Sequence, residues 1–121
     1  MKKRVVVFLV FFTTFAHASN WVSFDDTDIN YYDPSTIEVH GFDRKIKVLN
    51  TTNKQVDGVT STLSTVRIDC RLGTLEVLSW QAFSEKMAAG QLVRSSHKPS
   101  KLFFILPGTL EFELKKKICT Q

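Results

Sequence analysis

The chain has 121 residues, with 16 basic and 12 acidic side chains, a formal charge of +4 and two cysteines. That length fits one domain with a single core of modest size. Three of the basic residues (Lys2, Lys3 and Arg4) stand at the very start. From Ser19 onward the balance is 13 basic against 12 acidic, a net +1, which removes the basis for a nucleic-acid partner, since phosphate binding requires a clustered positive surface.

The opening stretch, MKKRVVVFLVFFTTFAHA, has the form of an export signal. Its positive start is followed by the apolar run Val5–Phe12 and then by the small-x-small pattern Ala16-His17-Ala18. Cleavage is expected between Ala18 and Ser19, leaving one domain over residues 19–121. The apolar run has eight residues, against roughly 20 for a membrane span, and no later segment is long and apolar enough to be one. An uncleaved anchor or a buried N-terminal strand is the alternative. No cysteine lies near the cleavage point, so no lipid attachment point is seen. Export to an oxidising compartment makes Cys70 and Cys119 candidates for one disulfide. Such a bond closes a loop of about 50 residues and contributes roughly 4 kcal/mol in the chain-entropy model. A zinc site using both cysteines with His40 and His97, or pairing between molecules, are the competing readings. Neither CxxC nor HxxxH spacing supports zinc.

Period-two alternation dominates the middle of the chain. Ile37 and Val39 alternate with Glu38 and His40, and Ile46 and Val48 alternate with Lys45 and Lys47. Gly41-Phe42-Asp43 between them reads as a hairpin loop. Val66, Ile68 and Cys70 point inward in a second hairpin that turns at Leu72-Gly73-Thr74. The returning segment TLEVLSWQAF changes phase near Val77, implying a β-bulge or a strand covered on both faces. LVRS at 92–95 reads as a further strand. The segment Asn50–Leu63 is polar and reads as a loop, and SEKMAAGQ at 84–91 as a helical turn or broad loop. Leu102–Leu106 is an apolar run between prolines; it is expected to fill the core, with an exposed interface formed by Phe103, Phe104 and Ile105 as the alternative. Thr109 is the expected N-cap of a final helix. Glu111 and Glu113 early and Lys115–Lys117 late complement the helix dipole, Glu113 and Lys117 form an i,i+4 pair, and Leu110, Leu114 and Ile118 form an apolar stripe. The fold class is therefore α+β: a small antiparallel sheet packed with a C-terminal helix.

Chemistry is harder to find. His40 and His97 read as surface residues. Asp25, Asp26 and Asp28 lack the glycine and distal glutamate of a calcium loop and read as a solvated turn. Trp21, Phe24, Tyr31, Tyr32 and Trp80 are core rather than a binding face, and the triple lysine is a solvated helix end. No catalytic residue, metal ligand or cofactor is assigned.

Taken in succession, the Trp-Val opening, NYYDPSTIEVHG, VRIDC, Gly90 and PGTLEFELKKKIC resemble the surface-adhesin protein E family of proteobacteria, over Trp21 to Cys119. The resemblance implies a sheet with a C-terminal helix tied by Cys70–Cys119, an envelope location and, for the member that names the family, attachment to host proteins. The family's naming member is a lipoprotein, whereas this leader offers no acylated cysteine; a soluble periplasmic or released protein is expected. The function expected is non-enzymatic binding of a host-matrix or envelope protein, through Asn50–Leu63 or Leu102–Leu106. The alternative is inhibition of a hydrolase acting in the envelope. The resemblance carries over no binding residues.

Overall fold

The computed structural model describes residues 20–120; the expected export leader and its expected cleavage point at Ala18–Ser19 lie outside the described residues. Eight strands and one helix follow one another along the chain: β1 Val22–Ser23, β2 Asn30–Tyr32, β3 Glu38–His40, β4 Asp43–Val56, β5 Val59–Asp69, β6 Thr74–Phe83, β7 Leu92–Ser96, β8 Phe103–Phe104 and α1 Leu110–Ile118. All strands pair antiparallel in one sheet, ordered β1-β2-β4-β5-β6-β7, with β3 beside β4 and β8 beside β6.

The alternating segments become strands because one face of each can be buried and the other wetted. Ile46, Val48, Val66 and Ile68 are buried, while the intervening Lys45, Lys47 and Arg67 are exposed. The phase change in β6 is a bulge. Thr65 faces Ser79 but Val66 faces Val77, leaving Leu78 as the extra residue. Leu75, Val77, Trp80 and Ala82 therefore oppose Ile68, Val66, Ser64 and Thr62 in turn. All four lie on the same side of the sheet despite their broken spacing, because directly opposed residues share a face.

The segment Asn50–Leu63 corrects the sequence reading. It is not a loop but the far half of the β4–β5 hairpin, with Asn50 opposite Thr62 and Thr51 opposite Ser61. Only Asp57 and Gly58 turn, with φ of 50° and 78°, the doubly left-handed geometry that a two-residue hairpin turn requires. Threonines supply the β-branched character here without the hydrophobicity that marks the other strands.

The two faces of the sheet are covered differently. Helix α1 lies on one, where Leu114 and Ile118 join Phe24, Tyr32, Ile46, Val48, Val66, Ile68 and Leu75 in the core. On the other face, the loop after β6 folds back over β4 and β5 through a short 3₁₀ turn at Lys86–Ala88. Ser61 anchors it: its hydroxyl donates to the Glu85 carbonyl and accepts from the Ala88 N–H. Thr60 donates to the Ser84 carbonyl, and Thr51 accepts from the Met87 N–H. Leu49, fully buried, lies on this second face with its cross-strand neighbours Tyr31 and Leu63.

Thr109 caps α1 as expected, accepting from the Phe112 N–H at 3.3 Å. Glu113 pairs with Lys116, one turn away at i,i+3 and 3.0 Å, rather than with Lys117. Leu114 and Ile118 are buried, but Leu110 at the head of the stripe stands half out of the core.

Candidate functional site

The apolar run Leu102–Leu106 overturns its core-filling expectation. Leu102, Phe104 and Leu106 are 64%, 72% and 62% exposed, Phe103 is 41% exposed, and only Ile105 packs against the core. Core filling fails here because the run pairs at the edge of the sheet, beside Thr74 and Leu75, rather than beneath α1.

The backbone explains the position. Residues from Leu92 to Ile105 follow the outer edge of β6 as one interrupted strand. Trp80 pairs with Ser96, Leu75 with Phe103 and Thr74 with Phe104. Across the bulge, Ser100 takes over: its N–H donates to the Val77 carbonyl and its hydroxyl accepts from the Val77 N–H, at 2.8 and 2.9 Å. The Ile105 N–H then donates to the Gly73 carbonyl at 2.8 Å. No further described strand pairs with the outer side of this line.

Phe103 shares the helix side of the sheet with Leu75, while Phe104 shares the opposite side with Thr74. Between Phe103, Leu110 and Leu114 of α1, Phe24, and the sheet residues Val48, Val66, Leu75 and Val77, an apolar cleft of about 130 Å³ opens, with Asn50, Ser64 and Glu111 also in its lining. A larger groove of about 470 Å³ crosses the other side, lined by polar and apolar residues that include Thr36, Ile37, Lys45, Lys47, Leu78 and Ser79.

The remaining candidates fall into place around this frame. Cys70 and Cys119 are bonded, with Cα atoms 5.7 Å apart, and the bond ties the end of α1 to the turn after β5. The zinc alternative is thereby removed, since neither thiol is free, and so is pairing between molecules. No cluster of three or more metal-binding side chains occurs among the described residues. His40 and His97 are exposed as expected, His40 lying 3.9 Å from Glu38. The Asp25 carboxylate is taken up by the Thr27 hydroxyl and the Asn30 amide. Phe24 and Tyr32 are buried in the core, as read from the sequence, while Trp21, Tyr31 and Trp80 are half-buried.

Sequence reasoning missed what Asp33 does in the YYDPST stretch. Asp33 is buried and caps a 3₁₀ turn at Pro34–Thr36, accepting from the Ser35 N–H and hydroxyl at 3.0 and 2.6 Å. Thr36 then accepts from the Lys47 N–H, fixing the turn to β4. An Asp-Pro-Ser sequence is a legible capping signal.

The fold and its surface define a small disulfide-tied scaffold whose exposed features are an open sheet edge, an apolar run and a shallow cleft. The sequence matches the family model described as Surface-adhesin protein E over residues 20–120, and the chain belongs to that family. Solved structures of protein E from Haemophilus influenzae share the fold. One has a TM-score of 0.71 at 14% identity, covering 84% of this chain and 85% of its own. A second crystal form gives the same score and identity, with 84% and 88% covered. Protein E from a non-typeable strain gives 0.69, also at 14%, with 84% and 76% covered. No curated protein matches the sequence.

Proposed function

We propose that the chain is an exported, non-enzymatic binding protein, released by cleavage before Ser19, that contacts another protein of the host matrix or the cell envelope through the edge formed by residues 92–106. The exposure of Phe104 and its neighbours carries this reading. Contiguous exposed apolar side chains mark interaction surfaces, and phenylalanine is among the aromatic residues enriched at interfaces. Membership of a surface-adhesin family supports it. Among the described residues no helix is long and apolar enough to cross a membrane.

The test is binding of residues 19–121 to purified matrix and envelope proteins side by side, with a Phe104→Ser variant in parallel. A specific partner whose affinity falls about tenfold or more in the variant, with an unchanged circular dichroism spectrum, is the expected result. An envelope hydrolase that is bound and inhibited would point to an inhibitor instead. Turnover of a small substrate would refute both.

A further inference from the structure

We infer that the edge from Leu92 to Ile105 receives an extended acidic segment of the partner protein, which adds to the sheet as one more strand. The inference rests on the protein-binding reading above and gives the partner a chemistry. An outermost strand exposes backbone N–H and C=O groups that a passing chain can pair with. Here the edge is also charged on one side of neutrality. Between Glu85 and Glu111 there is no acidic residue, while Arg94, Lys98 and Lys101 are present and exposed. None of the three is in an ion pair among the described residues; the Arg94 guanidinium makes only a long 3.5 Å contact to the Asp57 carbonyl.

Cations on an edge strand repel a second copy of the same edge, which is a common defence against self-association. The same charges attract an edge of opposite sign, so the occupant they favour is acidic and is not this chain. The apolar cleft beside Phe103 adds a place for one side chain. Its volume of about 130 Å³ suits a single aliphatic group projecting from the added strand. A lipid surface could use the charges and the apolar run, but not the line of backbone groups.

The experiment uses residues 19–121 and four probes: a peptide alternating Glu with Val, the same peptide with Lys for Glu, an N-methylated form of the acidic peptide, and phosphatidylglycerol vesicles. The acidic peptide should bind and slow amide exchange at Leu92–Ser96. The Lys peptide should bind at least about tenfold more weakly, and N-methylation, which removes backbone donors, should abolish binding. The triple variant R94E/K98E/K101E should reverse the preference between the two charged peptides. K98E/K101E, which leaves β7 intact, should shift it in the same direction. Equal binding of both charged peptides, undiminished binding after N-methylation, or protection confined to another strand would overturn the inference. So would binding of vesicles alone. A matrix or envelope protein that binds the triple variant as well as the native chain would sink strand addition here while leaving the protein-binding reading standing. Failure of every protein partner would sink both.

Discussion

Single hydrogen bonds decide two local structures at the ends of the domain. Thr109 both donates to the Leu106 carbonyl at 2.6 Å and accepts from Phe112, so it ends the exposed run and starts α1 in one residue. Thr109→Ala should cost about 1 kcal/mol, and Thr109→Asp should retain most of the cap; urea unfolding of the two variants checks this. At the other end, burial pushes the Asp25 carboxyl up. Hydrogen bonds from the Thr27 hydroxyl, the Asn30 amide and the Thr27 N–H outweigh that and hold it below its ordinary value of 3.8. A carboxyl whose pKa is lowered by folding stabilises the fold above its unfolded pKa and ceases to do so as pH falls through the folded value. Native protein should therefore lose stability below about pH 3.8 more steeply than Asp25→Ala. Urea midpoints measured on either side of that pH test the sign, and parallel acid dependence in the two proteins would count against it.

At the scale of elements, the loop at 84–91 carries the most strain. Met87 and Ala88 both hold left-handed backbone, with φ of 57° and 58°, a conformation that costs non-glycine residues free energy. The Ser61 hydroxyl holds it in place from a site only 2% exposed. Ser61→Ala leaves the Ala88 N–H and the Glu85 carbonyl without that partner and should destabilise the domain by about 1–3 kcal/mol. Faster amide exchange confined to residues 84–91 and their neighbours on β4 and β5 would identify the loop as the part released. Gly90 is required for a related reason. Its φ is +78°, and a Cβ there would stand 2.4 Å from the Ser84 hydroxyl, which accepts from the Gln91 N–H. Gly90→Ala should open the same loop.

For the whole molecule the Cys70–Cys119 bond is the largest single constraint. It joins residues 49 apart and should contribute about 4 kcal/mol in the chain-entropy model, a large share of the roughly 5–15 kcal/mol typical of a domain. It also holds α1 over the core where Leu114 and Ile118 are buried. Cys119→Ser should lower the unfolding midpoint and expose α1 to exchange before the central strands. Equal protection of α1 in the reduced and oxidised protein would show that packing alone holds the helix.

Alternation by itself determined which residues of Lys45–Val48 and Val66–Ile68 face the core, because strand geometry imposes a period of two wherever one face is buried; in β6 it showed a break in phase, and the pairing with β5 decided which residues share a face. The helix and its cap were equally legible, since capping and charge order act within a few residues. The expected export and the count of two cysteines pointed to the bond before any geometry was known. Two matters lay beyond local pattern. The polar residues of Asn50–Leu63 form strands because the neighbouring chain and the 84–91 loop supply their hydrogen bonds, a long-range pairing that hydrophobic periodicity does not encode. The run Leu102–Leu106 looks like core by composition, yet is exposed because it pairs along the outer edge of β6, from which only Ile105 reaches the core. Burial of an apolar segment depends on where in the sheet it pairs, and only the tertiary structure decided that place.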